Sequence, residues 1–559
     1  LLGEILGTAV REWVGKNGWE GAPEVVLERP AERGHGDYAL PYCLQLAGVA
    51  RRAPKELAEE LVEYLAADPM VSDVVEDMEV AGPGFINFTL GQSAYRETVL
   101  GMLARGESIG CGDGESEDLG SILLEYVSVN PTGPLHVGHA RYAAYGNALD
   151  RILRFSGYDV STEFYVNDYG RQMEMFARSI AARYAQLLGL EIDVPDEGYQ
   201  GEYVREIAER VREQYGDRWL ERLESEGLEN AGTETLQFFR SAGCELVLEE
   251  MREELEMFGV TFGTWFSETS LHERGAVSQT IEELENSGKA YRSEDAVWLK
   301  TVPYGDDKDR VLVRSNERPT YFAADIAYHQ DKLARGYDHL INIWGADHHG
   351  YIPRMKAAVE ILAGKPERLE VIIGQLVNLL EKGELRQMST RRGELVTLAE
   401  LVEAIGVDAS RFFLVMRSHD QTLDLDLDLA CSESQENPVY YVQYAHARIC
   451  SILRNLSESV DWGVPEGQGV FATGYEKDLI KKLDEFSGTV KEAAERRGPH
   501  RIAVYAQELA ADFHAFYKNC RVIGSAPDLS ASRLALCLVT QRVVARCLNL
   551  LGVSAPESM

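Results

Sequence analysis

The sequence predicts a multidomain α/β protein: a parallel-sheet domain preceded by an α+β domain and followed by an all-α helical bundle. Three observations carry this. From about residue 120 to 375, short apolar runs alternate with helical stretches, as in a parallel sheet with crossover helices. Residues 1–112 mix helical runs with alternating strands, and beyond residue 431 nearly everything has helical periodicity. A chain of 559 residues is long enough for more than one core.

In chain order, residues 54–65 read as a helix, and Phe85-Ile86-Asn87-Phe88-Thr89-Leu90 as a strand after the turn Gly82-Pro83-Gly84. The polar stretch 110–117 reads as a linker. Next comes the apolar run Ile122-Leu123-Leu124-Glu125-Tyr126-Val127, a buried strand, and then a Pro/Gly loop at 128–134. His136-Val137-Gly138-His139 comes after it, opening a helix over 140–155 with Ala140, Ala144, Ala148, Leu149, Ile152 and Leu153 near helical spacing and Gly157 placed to stop it. Residues 190–290 are charged and helical, an expected insertion within the 120–375 domain. Residues 376–430 form a connecting region that ends in a Leu/Asp alternation at 423–429, and 431–559 form the bundle.

Composition narrows the function. Hydrophobic content of 45% and charged content of 26% describe an ordinary globular protein. No apolar run approaches the ~18 residues that span a bilayer, and no signal-peptide pattern opens the chain, so a cytoplasmic protein without a membrane partner is expected. The eight cysteines have no C-x-x-C and no Cys/His ligand spacing, which argues for a reducing compartment and against a resident metal. Net charge of −35 disfavours nucleic acid, but from about residue 430 onward acids and bases balance.

A strand, a Pro/Gly loop and a helix opening on His-x-Gly-His make a phosphate site. Free N–H groups and the positive end of the helix dipole favour an anion, and each imidazole can donate to oxygens whose charge grows as a bond breaks. Gly138 lets a flat ring approach the backbone, although one histidine can equally cap the helix. Further polar clusters fall at strand ends, where open α/β sheets bind ligands. They are Glu125, Ser128 and Asn130; residues 165–172; the face of Tyr321, Asp325, Tyr328 and His329 on one helix; and Gly345, Asp347, His348 and His349 after another strand. Adjacent histidines point apart, so a polar pocket wall is expected there rather than a metal site. Residues 386–393, with Arg386, Arg391 and Arg392, form a basic loop with some attraction for phosphate.

Taken together, these blocks resemble the arginyl-tRNA synthetases, a family of class I aminoacyl-tRNA synthetases. The match runs through His136-Val137-Gly138-His139 with its lead-in Asn130-Pro131-Thr132-Gly133-Pro134-Leu135, and through Tyr165-Val166-Asn167-Asp168. It continues in the block from Asn437 to Arg448 and in the C-terminal Leu550-Leu551-Gly552-Val553-Ser554-Ala555-Pro556. The resemblance implies a Rossmann-like catalytic domain, an N-terminal domain that touches the tRNA elbow and a helical anticodon-binding domain. It implies an arginine–tRNA ligase that uses ATP with Mg²⁺, has L-arginine and tRNA(Arg) as partners and works as a monomer.

Carried over by position, Glu125, Ser128, Asn130, His139, Tyr321, Asp325 and His349 would contact arginine. ATP would meet Pro131, Thr132, Gly133, His136, Gly138, His139, Gly345, Asp347, His348 and Met388, with His136, His139, Ser389 and Arg391 catalytic. Phe85, Asn87, Tyr441 and Tyr444 would touch tRNA, with core packing as the alternative for each. One departure stands out. The second class I signature usually has two lysines, whereas the matching register here is Gln387-Met388-Ser389-Thr390-Arg391. Arg386, Arg391 or Arg392 is expected to supply the cation, since arginine can fork two phosphate oxygens. A small nucleotidyltransferase and a synthetase-like RNA-binding protein without activation are the competing readings; the first needs no helical C-terminal domain, and only the missing lysines favour the second.

Overall fold

The computed structural model describes residues 2–28, 30, 35–111, 119–228, 232–385, 396–455, 464–465 and 470–559. The first domain is built on an antiparallel sheet of β1 (Tyr38–Leu40), β2 (Val75–Ala81) and β3 (Phe85–Leu90), in the order β1-β3-β2. The helix expected at 54–65 is Pro54–Ala66, which buries Leu57, Ala58, Leu61 and Leu65. Ile86, Phe88 and Leu90 are buried in the core, so the two-residue period of a strand puts Phe85, Asn87 and Thr89 on the other face of β3.

The central sheet has five parallel strands: β4 (Ser121–Glu125), β5 (Asp159–Val166), β6 (Thr264–Ser267), β10 (His339–Gly345) and β11 (Leu369–Gly374), in the order β11-β10-β4-β5-β6. The chain leaves β4 toward β5 and later returns on its other side as β10. The strand order thus reverses at β4, which opens a crevice at the carboxyl ends of β4 and β10. The helix after the His-x-Gly-His element runs Val137–Phe155, and Gly157 at φ 101° ends it as expected.

The region expected as one helical insertion over 190–290 is divided. Four helices, from Arg171–Leu187 to Thr233–Met257, lie between β5 and β6, and β6 then brings the chain back to the sheet. After it comes a small antiparallel sheet of β7 (Ala290–Ser293), β8 (Ala296–Leu299) and β9 (Arg310–Val313). Strands of four residues are too short for alternation to stand out among flanking charges. The Leu/Asp alternation is β14 (Leu423–Asp426), which buries Leu423 and Leu425 and pairs with β12 (Val377–Glu381); β13 (Glu384–Leu385) flanks β12.

The C-terminal region is a helical bundle, as its periodicity predicts. Its last helix, Pro527–Leu551, is long and apolar enough to cross a membrane, yet it packs within the bundle with 67% of its apolar window buried. One buried side chain ties the regions together. Arg411, from the helix Leu398–Val415, donates to Asn147 Oδ1 (2.6 Å), to Phe258 O (2.7 Å) and to Leu551 O (3.2 Å). Those last two carbonyls end helices, where a cation complements the dipole.

Candidate active site

The crevice is a cleft of about 920 Å³. Glu125, Ser128, Asn130, Tyr321, Asp325, Gly345, Asp347 and His348 all line it, so residues more than 200 positions apart meet as the sequence predicts. The loop after β4 is strained: Val127 (φ 69°) and Ser128 (φ 39°) lie in the left-handed region, costly for a β-branched side chain. Ser128 Oγ stabilises the bend by accepting from Tyr165 N–H at 3.1 Å, and Asn130 donates to Asn167 O at 3.0 Å.

The inner end of the cleft is acidic. Tyr351 donates to Asp325 Oδ2, while burial pushes the Asp325 carboxyl up to about 6. Opposite it, Glu268 stands just past the end of β6 and is 3% exposed. Burial, with the Asp325 charge adding to it, pushes the Glu268 carboxyl up to about 8. Asp168 positions that turn by accepting from Ser267 Oγ–H (2.6 Å) and Thr269 N–H (2.8 Å). Among the described residues, no lysine or arginine makes an ion pair with Asp325 or Glu268. A buried and a half-buried carboxyl, with no lysine or arginine partner and only the imidazole of His272 near Glu268 (3.8 Å), suit a planar, positively charged ligand end that can donate to both. Behind the cleft, Glu125 is ion-paired with the buried Lys332, and Lys332 also donates to Asn342.

Sequence reasoning missed Glu268 and Lys332, and it included Asn342 in the strand-end cluster at 341–350 without giving it a role. Lys332 was findable, being seven residues beyond Asp325 on the same helix face. Glu268 was hidden because β6 lies within a stretch read as helical. His349 departs from expectation: it is exposed and does not line the cleft. It comes directly after His348 on the 3-10 turn Ala346–Tyr351, where successive side chains diverge by about 120°, so His348 reaches the cleft and His349 does not.

The histidines begin their helix beside the cleft. His136 Nδ1 accepts from Gly138 N–H (3.1 Å), and His139 Nδ1 accepts from His136 N–H (3.3 Å), a reciprocal capping box. Capping and ligand binding are therefore compatible. With both Nδ1 atoms accepting, each neutral ring carries its proton on Nε2 as an available donor. Burial holds both below the ordinary histidine value, and His139, with its neighbour His136 adding, falls to about 3. The rings stack 3.5 Å apart, and the ring lying against Gly138 is that of His136. Pro131, Thr132 and Gly133 form the adjoining loop, with Gly133 packed against Tyr203.

Met388, Ser389, Arg391 and the neighbouring Arg386 and Arg392 lie outside the described residues, as does most of the expected linker at 110–117. Just beyond the basic loop, the chain is tied to the histidine helix: Val137 N–H donates to Val396 O (3.0 Å) and Leu398 N–H to Leu135 O (2.7 Å).

Two faces lie away from the cleft. Phe85 is half-buried beside the buried Asn87 on the outer face of β3. In the bundle, Tyr440 and Tyr444 stack, Arg448 covers the rings of Tyr444 (4.7 Å) and Tyr517 (5.0 Å), and His514 lies against Tyr441. Tyr441 and Tyr444 are half-buried, giving a ring-and-guanidinium surface on which bases can stack.

Comparison with known proteins assigns these parts. The model of the class I (R) tRNA synthetase catalytic domain matches residues 103–431, that of the arginyl-tRNA synthetase N-terminal domain residues 4–90, and that of the DALR anticodon-binding domain residues 442–559. Arginine–tRNA ligase 1 of Halalkalibacterium halodurans is 46% identical over 97% of this chain and 95% of its own length. The arginine–tRNA ligase of Bacillus subtilis is 46% identical over 96% and 95%. The solved arginyl-tRNA synthetase of Thermus thermophilus superposes with a TM-score of 0.77, at 26% identity and full coverage of both chains.

Proposed function

The chain belongs to the arginyl-tRNA synthetase family of class I synthetases, and from that premise we propose how its residues carry out the reaction. It is an arginine–tRNA ligase: it joins L-arginine to ATP as arginyl-adenylate with release of pyrophosphate, then transfers arginine to the 3′-terminal adenosine of its tRNA. No protein nucleophile is needed, so the protein's task is positioning and charge stabilisation.

Asp325 and Glu268 receive the guanidinium, with Tyr321 closing over it. Glu125, Ser128 and Asn130 surround the α-ammonium and carboxylate, and His139 approaches the reacting carboxylate. The observation that carries this assignment is the pair of carboxyls, Glu268 buried and Asp325 half-buried, without a lysine or arginine partner among the described residues at the inner end of the cleft. ATP lies between the Pro131-Thr132-Gly133 loop, His136, Gly138 and His139 on one side and Gly345, Asp347 and His348 on the other. The Nε2 protons of the histidines face phosphate oxygens as charge grows on them. Mg²⁺ taken up with ATP would supply charge neutralisation for the phosphates, and no residue is assigned to hold it.

Ser389 and Met388 of the basic loop approach the nucleotide, and Arg391, with Arg386 or Arg392, replaces the absent lysines. The tie between Val396 and Val137 supports this, since the described chain resumes against the start of the histidine helix. tRNA(Arg) meets Phe85 and Asn87 with its elbow and Tyr441 and Tyr444 with its anticodon loop. We assign a monomer to the cytoplasm, with no membrane partner.

ATP–pyrophosphate exchange driven by arginine, with and without tRNA, tests the reading. Exchange is expected in the presence of cognate tRNA, and its absence there would leave RNA binding alone. Full exchange rates in the Ala variants of Arg386, Arg391 and Arg392 would remove the loop from the triphosphate.

A further inference from the structure

Lys332 has no solvent exposure, a placement lysine rarely adopts unless paired. Its ammonium donates to Glu125 Oε2 and to Asn342 Oδ1 at 3.0 Å, and lies 4.4 Å from the centre of the Tyr328 ring. With its oxygen turned to Lys332, Asn342 donates through Nδ2 to His329 Nε2 at 3.0 Å. An accepting Nε2 leaves the proton on Nδ1, which donates to the backbone oxygen of Asp325 at 2.8 Å. Lys332 is thus the donor from which two arms leave along the cleft wall, one to Glu125 and one through Asn342 and His329 to the Asp325 backbone oxygen, with members of the longer arm polarising one another.

The fold puts these arms together from two directions. Asp325, His329 and Lys332 stand at i, i+4 and i+7 on one face of the helix Tyr321–Ala334. Glu125 and Asn342 are register neighbours on β4 and β10. We propose that Lys332 is a positioning residue for arginine recognition: it holds the Glu125 carboxylate toward the cleft for the substrate α-ammonium, at a set distance from the Asp325 end that takes the guanidinium. This rests on the proposed contact between Glu125 and that ammonium.

The pairing is not a simple competition for Glu125. A carboxylate has about four acceptor sites, so one oxygen held by Lys332 leaves places for the substrate. Without the lysine, the buried Glu125 carboxylate loses the donor that fixes its orientation toward the cleft. Packing alone would be served at lower desolvation cost by a methionine.

The test compares arginine with 5-guanidinopentanoate, which keeps the guanidinium and carboxylate but lacks the α-amino group. Arginine KM and the inhibition constant of the analogue are measured in ATP–pyrophosphate exchange with tRNA present. Lys332→Met is expected to raise the arginine KM by about 100-fold. The analogue constant and the ATP KM should change less than about twofold. Glu125→Gln should show the same selectivity, and the double variant should bind arginine no worse than Glu125→Gln alone.

If Glu125→Gln fails to separate arginine from the analogue, the assignment of Glu125 falls and this inference falls with it. If Glu125→Gln separates them and Lys332→Met does not, or if Lys332→Met weakens both ligands equally, only the role of Lys332 is overturned. Should Lys332→Met not fold, the double variant against Glu125→Gln decides: equal arginine KM values support positioning through Glu125, and a further loss refutes it.

Discussion

Glu268 and Asp325 show how single residues acquire a property from their surroundings. Burial raises both carboxyls, to about 8 and about 6, so the folded protein holds protons there that the unfolded chain would release. Their contribution to stability is therefore present in acid and lost as pH rises through about 6 and then about 8. A guanidinium works the other way, because it favours the ionised forms. Arginine binding is expected to expel protons, and its affinity to rise between pH 6 and 8 and then level. Calorimetric titration near pH 7 in two buffers of different ionisation enthalpy reads the protons directly. An affinity flat across that range would exclude Glu268 from the guanidinium site. Asp325→Asn should raise the arginine KM by about 100-fold with little change for ATP, since one partner of a desolvated charge pair is lost.

Among elements, the helix Val137–Phe155 shows why local preference alone misleads. Gly146 lies in its interior, where Ala would ordinarily stabilise a helix by about 1 kcal/mol. Here a Cβ would sit 2.3 Å from the Tyr126 ring at the end of β4. Gly146→Ala is expected to lower the thermal unfolding midpoint and to weaken arginine binding by shifting the loop after β4; a raised midpoint would show that Tyr126 can move freely. Arg411 makes the same point between elements. Arg411→Met leaves Phe258 O and Leu551 O without their donor, whereas Asn147 Oδ1 keeps the Arg151 N–H, and is expected to cost about 3 kcal/mol, read as a lower midpoint in thermal unfolding. An unchanged midpoint would mean that water replaces the guanidinium at those helix ends.

At the scale of the molecule, the two faces proposed for tRNA belong to opposite ends of the chain but to touching domains. Lys481 of the bundle pairs with Asp37 at 3.0 Å, and Asp37 also accepts from Leu90 N–H at the end of β3 (2.9 Å). This pair links the strand bearing Asn87 to the bundle bearing Tyr444. Tyr444→Ala and Asn87→Ala are each expected to raise the tRNA KM in aminoacylation by about tenfold, the scale of one lost stacking or base contact. Arginine and ATP constants at saturating tRNA should stay unchanged. Equal effects on arginine would instead make these residues part of the core.

Much was legible in the sequence because it is local. The helix after His136, the strand Phe85–Leu90, the helix Pro54–Ala66 and the bundle each arise from the period at which apolar residues recur. The ordered blocks from His136 to Arg448 were also enough to name the family. β6 and β7 to β9 were not legible, since four-residue strands carry too little alternation to outweigh helical, charged surroundings. What the sequence by itself determined is the set of elements and the chemistry they carry: histidines at a helix start, and Asp325 with His329 on one helix face. Only the tertiary structure decided that Glu268 faces Asp325, that Lys332 lies behind Glu125, and that His348 rather than His349 reaches the cleft. Those are matters of which strand lies beside which and which way a turn rotates its side chains, and they depend on packing between segments far apart in the chain.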